Sequence, residues 1–137
     1  MISLIVVTYQ SAATIAACLE SLLEDDSAER EIIVVDNAST DGTRAIVRRF
    51  PDVRLIALPE NVGFGAANQA GADASCGGVL VFLNPDTTIE NGLLAQVACF
   101  FRTHSDVGIL GCRILNADGT LQRTGNAFPT FFSLLYE

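Results

Sequence analysis

Four continuous, largely apolar runs, each followed by a segment with helical features, constrain the fold of this chain more than any other feature. The runs are "ISLIVVTY" (2–9), "EIIVVD" (31–36), "VRLIAL" (53–58) and "GVLVFLN" (78–84). Strands in a parallel sheet that is covered on both faces read as continuous apolar runs, not as alternating ones. The pattern therefore predicts an α/β fold with a Rossmann-like, doubly wound, mostly parallel sheet.

Helices are predicted between and after these strands, over residues 13–24, 39–50, 65–75 and 89–104. In the second of them Ser39 or Thr40 is expected to be the N-cap, because a hydroxyl there accepts a bond from a free backbone N–H. The following stretch "VGILGCRILNADGTLQR" predicts a C-terminal β-hairpin that turns at "NADG". No linker or repeat divides the chain, so residues 1–137 are predicted to form a single domain.

Charge and composition exclude several classes of protein. The net charge is −8 and all eight basic residues are scattered arginines, so no nucleic-acid-binding surface is expected. No apolar run approaches the roughly 18 residues of a membrane span, and the N-terminus lacks a signal sequence, which favours a cytoplasmic chain. The four cysteines lack the spacing of a zinc site and are predicted to be reduced thiols, mostly in the core.

Polar residues at the carboxyl ends of the strands are the main candidates for function, because ligands of open α/β sheets bind beyond that edge. Asp36 ends the second run and Asp86 follows the fourth, so both carboxylates are expected at the same edge. A run as apolar as 78–84 suggests a central, buried strand. Asp86 is then expected to have lost much of its solvent and to need a compensating group.

Four segments at these strand ends carry a resemblance to a known family. "VVTYQSAATIAACLESLL", "IIVVDNASTDGT", "ENVGFGAANQAG" and "VLVFLNPDTTIENGLL" follow one another in the order seen in family 2 glycosyltransferases with the GT-A fold. Some segments are similar to the rhamnosyltransferase-like bacterial branch of this family. They are "NVGFGAAN" and "FLNPDTT", followed by "GILGCRILNADGTLQ" and "FPT". The resemblance covers nearly the whole chain and implies the nucleotide-binding half of such an enzyme.

The resemblance implies a set of nucleotide-binding residues. Asp36 would hold the nucleobase, since a carboxylate can accept the imide N–H of uracil or thymine. Thr8 and Tyr9 would line the nucleoside pocket, with the Tyr9 ring beside the base. The remaining members of this set lie at the later strand ends and are Asn37, Asn61, Gly63, Gly65, Asn68 and Asn84.

Plainer interpretations of the same residues stay open. Asp36 could cap the next turn or helix, as could Asn37, Ser39 or Asp41. Tyr9 could be a half-buried aromatic residue at a strand end. The two glycines of "ENVGFGAAN" could serve only to make the turn. A dinucleotide-binding G-x-G-x-x-G motif is not supported, because Asn68 stands where its last glycine would be and the segment follows the third strand.

The metal motif of the resembled family is Asp-x-Asp, and the aligned triplet here is Asn84-Pro85-Asp86. Mg²⁺ or Mn²⁺ often takes one or two protein carboxylates, with phosphate oxygens and waters as its other ligands. Asp86 alone is therefore predicted to bind the metal together with the donor diphosphate. The alternative is that Asp86 is a turn or N-cap residue before Thr87 and Thr88.

The activity that the resemblance implies is inverting transfer of a sugar from a nucleoside diphosphate of the UDP or dTDP type to a saccharide or lipid-linked acceptor, in the synthesis of cell-surface polysaccharide. No acidic residue here matches the catalytic base of the family, so that base is expected beyond Glu137, in an acceptor-binding half that follows. The apolar "FPTFFSLLYE" (128–137) is a candidate for association with the inner face of a membrane or with a second chain. The alternatives are a non-catalytic nucleotide-binding or oligomerisation module and a sugar nucleotidyltransferase.

Overall fold

A computed structural model of the protein describes residues 1–116 and 118–122. Strands and helices alternate along the chain, in the order β1 (Ile2–Thr8), α1 (Ile15–Glu24), β2 (Arg30–Asp36), α2 (Thr43–Val47), β3 (Val53–Ala57), α3 (Phe64–Asp73), β4 (Val79–Leu83) and α4 (Leu93–Thr103). The chain divides into two compact units, Met1–Ser105 and Asp106–Glu137. All the named elements belong to the first unit.

The four strands form one parallel sheet in the order β3-β2-β1-β4, which confirms the predicted α/β class. The chain moves outward from β1 through β2 to β3 and then returns to place β4 on the other side of β1. In register, Thr8 of β1 lies opposite Asp36 of β2, and Val6 lies opposite Leu83 of β4. The change of direction at β1 opens a crevice between the loops that follow β1 and β4, where ligands of such sheets bind.

Helices cover both faces of the sheet. The larger core cluster joins one face of the strands to residues of α1, α2 and α4, including Leu19, Val47 and Leu94. The smaller cluster packs Ala67 of α3 against Ile33 and Val35 on the opposite face. Every residue of β1 is buried, because this strand has a neighbour on each side and helices above and below.

The fourth strand is less buried than its sequence suggests. Its residues alternate between partly buried and exposed, and Phe82 is 51% exposed. The prediction of a central strand was wrong, because β4 lies at the end of the described sheet and pairs only with β1. The core placement of the cysteines was also wrong for Cys76, Cys99 and Cys112, which are exposed free thiols, while Cys18 is buried as predicted.

Helix α2 is much shorter than the predicted segment 39–50. It spans five residues, and its N-cap is Gly42, in a left-handed conformation, instead of Ser39 or Thr40. Those two side chains are used elsewhere, since Ser39 accepts a bond from the backbone N–H of Gln10 and Thr40 pairs with the Gln10 side chain. Local capping propensity was therefore overridden by contacts between the loops.

The described part of the second unit contains the predicted "NADG" hairpin in a minimal form. Leu115 and Leu121 form an antiparallel bridge, and backbone bonds join Asn116 to Thr120 and Gln122 to Ile114. The carboxylate of Asp118 accepts bonds from the backbone and hydroxyl of Thr120, which fixes the turn. The predicted segment 128–137 lies outside the described residues.

No helix within residues 1–116 and 118–122 is both long enough and apolar enough to cross a membrane.

The close packing of α3 on the sheet predicts opposite effects for two glycine substitutions in one helix. A Cβ on Gly71 would stand 2.5 Å from Cγ2 of Ile5 and 3.1 Å from Cγ2 of Val35, whereas a Cβ on Gly65 would meet no atom within 4 Å. We expect Gly71→Ala to lower the free energy of unfolding by about 1–3 kcal/mol through overpacking. Gly65→Ala should raise it by up to roughly 1 kcal/mol through helix propensity. Urea denaturation of both variants measures the difference, and equal stability would contradict the packing described for α3.

Candidate functional site

The loops that follow β1 and β2 are joined by hydrogen bonds at the carboxyl edge of the sheet. The backbone N–H of Ser11 donates to Oγ1 of Thr43 at 2.9 Å, and that of Ala12 donates to Oδ2 of Asp41 at 3.0 Å. The Gln10 side chain accepts a bond from the backbone N–H of Thr40 at 2.9 Å. These bonds join the loop after β1, residues 9–12, to the loop after β2, residues 37–43. We call the two joined loops the ledge, and they lie beside the crevice.

Backbone strain is concentrated in the same two loops. Gln10 has φ of 53° and Ala38 has φ of 66°, and among the described residues they are the only non-glycine residues with positive φ. A left-handed conformation of a non-glycine residue costs of the order of 1–3 kcal/mol, and such residues cluster at functional sites. The surrounding hydrogen bonds offset this cost.

A buried carboxylate, Asp36, lies at the centre of the ledge. Its Oδ1 accepts a bond from the Thr8 hydroxyl at 3.2 Å, and its Oδ2 accepts one from the backbone N–H of Ser39 at 3.0 Å and one from Nε of Arg44. Arg44 also donates from Nη2 to the carbonyl of Leu58 at 2.9 Å. The pair therefore connects the ends of β1, β2 and β3.

The electrostatic environment keeps Asp36 ionised. Burial by itself raises the pKa of its carboxyl, but hydrogen bonds from Ser39 and Arg44 and the positive charge of Arg44 outweigh that effect and hold the pKa below the ordinary 3.8. A charge buried in this way needs both its cation and its hydrogen bonds. Thr8 and Asp36 are both fully buried, so the side chains that the sequence placed in contact with a base lie behind the accessible surface.

Two asparagines fix the loop after β3 against the end of β2. Asn37 donates from Nδ2 to Oδ1 of Asn61 at 2.8 Å and accepts the backbone N–H of Val62 at 2.9 Å. Oδ1 of Asn61 also accepts the N–H of Gly63 at 3.0 Å. Gly63 is the N-cap of α3 with φ of 86°, a conformation that side chains rarely adopt. The turn-forming interpretation thus holds for Gly63, while Gly65 lies exposed in the first turn of α3.

The accessible surface of the ledge is aromatic and amide-rich. Tyr9 is 53% exposed and Phe64 is 57% exposed. Nδ2 of Asn68 donates to the carbonyl of Phe64 at 3.1 Å, and its buried Oδ1 has no partner among the described residues. Of the candidate nucleotide-binding residues, Tyr9, Asn61, Gly63, Gly65 and Asn84 are exposed, and Thr8, Asn37 and Asp36 are buried.

A proline turn presents Asp86 at the end of β4. The backbone N–H of Thr87 donates to the carbonyl of Asn84 at 3.2 Å, which places Pro85 and Asp86 at the two central positions. Proline at the first central position is common in such turns, since its fixed φ suits them. Asp86 is exposed, so the expected desolvation was wrong, and the turn interpretation holds. The N-cap of α4 is Gly92, not Asp86.

An exposed single carboxylate suits a cation that is shared with a phosphorylated ligand. The described residues contain no group of three or more His, Cys, Asp or Glu that could hold a metal ion on its own. Mg²⁺ or Mn²⁺ would therefore take most of its ligands from phosphate oxygens and water, as these ions commonly do. Strands β2 and β4 are two positions apart in the sheet, roughly 10 Å by the usual strand spacing. Asp36 ends β2 and Asp86 follows β4, so the two carboxylates are not expected to share one metal ion.

The sequence interpretation missed Arg44. It was assigned only to a helix, although an arginine eight positions after a strand-end aspartate is a candidate partner for that carboxylate. The sequence indicates that the strand ends share one edge of the sheet, but the partner of each side chain depends on how α2 packs.

Comparison with known proteins identifies the family to which this chain belongs. The family described as "Glycosyl transferase family 2" matches residues 3–136. Because this match covers nearly the whole chain, the chain belongs to glycosyl transferase family 2. Its fold is the GT-A fold of its structural neighbours, as the sequence predicted.

Three known proteins illustrate the similarity. The succinoglycan biosynthesis protein ExoO of Rhizobium meliloti is 41% identical over 98 residues, which are 70% of this chain and 28% of ExoO. The crystal structure of S. aureus TarS 1-349 in complex with UDP-GlcNAc matches with a TM-score of 0.71 and 31% identity, over 76% of this chain and 32% of the TarS 1-349 chain. The Pyrobaculum calidifontis mannosyltransferase PcManGT, in complex with GDP-Man and Mn²⁺, matches with a TM-score of 0.69 and 30% identity, over 73% of this chain and 32% of PcManGT. The match therefore covers a third or less of the length of each of these chains.

The ion pair at the ledge predicts a clear stability effect. We expect Arg44→Met to lower the free energy of unfolding by about 2 kcal/mol, less than the roughly 3–5 kcal/mol of a fully buried pair because the Arg44 side chain is 33% exposed. Arg49→Met, an exposed neighbour with no described side-chain partner, is the matched control. Urea denaturation at pH 7 measures both, and equal values for the two variants would contradict the role of the pair.

The same pair predicts how stability depends on pH. Because the pKa of Asp36 is lower in the folded state, its contribution is complete above the unfolded value near 3.8 and is lost as the pH falls through the lower folded value. In Arg44→Met the folded pKa should rise, so the free energy of unfolding should change less between pH 5 and pH 3 (about the ordinary titration range) than in the wild type. A steeper acid dependence in the variant would count against this assignment.

Proposed function

We propose that this chain is the donor-binding part of a glycosyltransferase that transfers a sugar from a nucleoside diphosphate, of the UDP or dTDP type, with inversion at the anomeric carbon. The observation that carries the proposal is the exposed Asp86, which a proline turn presents beside the switch point of a family 2 sheet. The acceptor is a saccharide or a lipid-linked saccharide of cell-surface polysaccharide synthesis. The similarity to the succinoglycan protein ExoO supports this class of acceptor.

The ledge between β1, β2 and β3 is the proposed nucleoside subsite. Tyr9 offers an exposed ring on which a base can stack. The buried set of Thr8, Asp36 and Arg44 holds this ledge in place, and a direct contact between Asp36 and a base stays a prediction. Such a contact would require the groups that cover Asp36 to move, since its carboxylate is fully buried, although Oδ1 accepts only the bond from Thr8 and could accept another. Asn61, Gly63, Gly65, Asn68 and Asn84 are proposed to border the donor.

Asp86 is the proposed protein ligand of a Mg²⁺ or Mn²⁺ ion. When bound, the ion stabilises the negative charge that develops on the leaving diphosphate. Asp86 anchors and orients the diphosphate through that ion, while its turn keeps the carboxylate at the mouth of the crevice. The structures of TarS with UDP-GlcNAc and of PcManGT with GDP-Man and Mn²⁺ support this kind of donor and cation.

The general base that deprotonates the acceptor hydroxyl is proposed to lie beyond Glu137, since no acidic residue of this chain matches the base of the resembled family. The same proposal includes a cytoplasmic location at the inner face of a membrane. It also includes association of chains, or contact with lipid, through residues 128–137. Membership of family 2 favours sugar transfer over the nucleotidyltransferase alternative.

Calorimetric titration of the full-length protein with UDP, dTDP and GDP, each with and without Mn²⁺, tests the donor site. We expect Mn²⁺ to strengthen the binding of a pyrimidine diphosphate, and Asp86→Asn to remove most of that gain, a loss of about tenfold or about 1.4 kcal/mol. Asp52→Asn, an exposed aspartate immediately before β3, should leave it unchanged. Absence of nucleotide binding in folded wild-type protein would refute the donor site, and binding without turnover would favour a non-catalytic module.

The nucleoside subsite has its own test. We expect Tyr9→Leu to weaken UDP binding by about tenfold, because stacking of a base on an aromatic ring contributes roughly 1–3 kcal/mol where it has been measured. Tyr9→Phe keeps the ring and should bind UDP within about twofold of the wild type. Equal affinities of the Leu and Phe variants would show that the ring of Tyr9 does not contact the base.

A further inference from the structure

Three side chains at the end of α1 form hydrogen bonds with the segment that follows Asp86. We define the α1 corner as Ser21 of α1 with Asp25 and Ser27, which follow that helix. Its three side chains accept the backbone N–H groups of Ile89 at 3.1 Å, Leu94 at 3.0 Å and Ala95 at 3.0 Å, in that order. The contacts run in parallel along the chain, with sequence separations of 68, 69 and 68 residues.

Ser21 is the contact nearest to Asp86. Its hydroxyl donates to the carbonyl of Cys18 at 2.8 Å and accepts the N–H of Ile89 at 3.1 Å, so it links a helix carbonyl to a loop amide. Ile89 is three residues after Asp86, and its side chain packs against the main core cluster. The loop between the end of β4 and Ile89 is therefore short and fixed at both ends.

Asp25 fixes the start of α4. Its fully buried carboxylate accepts the N–H of Leu94 through Oδ2 and the N–H of Ser27 through Oδ1. Burial raises the pKa of this carboxyl, but hydrogen bonds from Ser27 and the backbone of Leu94 outweigh it and hold the pKa below 3.8. An ionised carboxylate at a helix N-terminus is favoured by the helix dipole. Asp25 and Ser27 thus hold α4 and the loop before it against α1.

The turn that carries Asp86 also contacts α1, through Cys18. Burial, and after it the negative charge of Asp86, raise the pKa of the Cys18 thiol from 9.0 to about 11. Sγ of Cys18 also lies 3.8 Å from the carbonyl oxygen of Asn84, the first residue of the proline turn. The turn therefore contacts α1 through Asn84, the first residue of the turn. The loop after the turn is hydrogen-bonded to the α1 corner.

We propose that the α1 corner is a positioning device that sets where the Asp86 carboxylate stands at the donor site, and that Ser21 is its decisive residue. This inference rests on the proposed function. Because Asp86 is exposed and makes no described side-chain hydrogen bond, its location depends on the backbone that carries it. Loss of the Ser21 contact frees the loop between Pro85 and Ile89 while leaving the sheet and the ledge unchanged.

The test compares Ser21→Ala with Ser21→Thr, which restores a hydroxyl, and with Ser75→Ala. The last variant is the matched control, since the Ser75 hydroxyl also donates to a helix carbonyl, that of Ala72, but lies at the far end of α3. All three are made in the full-length protein. Hydrogen exchange of the amides in residues 87–95 is the first measurement, and it requires no ligand. We expect exchange about fivefold faster in Ser21→Ala than in the wild type, and no change in Ser75→Ala.

The second measurement is the Mn²⁺ concentration that gives half-maximal enhancement of UDP binding. This Mn²⁺ concentration should rise by about fivefold in Ser21→Ala and return toward the wild-type value in Ser21→Thr. It should equal the wild-type value in Ser75→Ala. The affinity for UDP without metal should be the same in the wild type and the three variants. Unchanged metal dependence in Ser21→Ala, with or without faster exchange, would overturn the positioning role. If the wild type binds no nucleoside diphosphate, the proposed function fails instead, and the positioning role at a donor site fails with it.

Discussion

The buried carboxylate of Asp36 is the interaction on which the rest of the functional edge depends. A charge that is removed from solvent must be matched by a cation and by hydrogen bonds, or its burial would destabilise the fold. The partners of Asp36 come from three different places, the end of β1, the turn after β2 and helix α2. Satisfying one carboxylate therefore fixes three segments at once. Arg44 extends the same requirement to the end of β3 through the carbonyl of Leu58.

The fourth strand end is held by other means, because β4 lies on the far side of β1 from Asp36. Hydroxyl and carboxylate groups of the α1 corner accept the free amides of the segment after β4. The two halves of the crevice are thus fixed independently, one by an ion pair and one by capping bonds. This division suits the proposed site, in which the nucleoside would bind on one side and the diphosphate with its cation on the other.

Much of the fold could be predicted from the sequence, because continuous apolar runs followed by amphipathic segments leave few alternatives to a covered parallel sheet. Residues at the carboxyl ends of the strands could be identified for the same reason, and the family resemblance was confirmed by the match over residues 3–136. The errors have a common cause. The burial of β4, the location of Cys76 and Cys99, and the cap of α2 depend on which elements become neighbours, and local sequence does not contain that information.

In the candidate site, too, some features follow from local sequence and others depend on which elements become neighbours. From the sequence alone one can infer the class of fold, the edge of the sheet that holds the candidate site, and the presence of Asp36, Asp86 and a proline turn between β4 and α4. Only the tertiary structure decided that Asp36 is buried against Thr8 and Arg44 whereas Asp86 is open to solvent. Two aspartates at equivalent strand ends look alike in a sequence. Their environments differ because β2 has a strand on each side while β4, among the described strands, pairs only with β1.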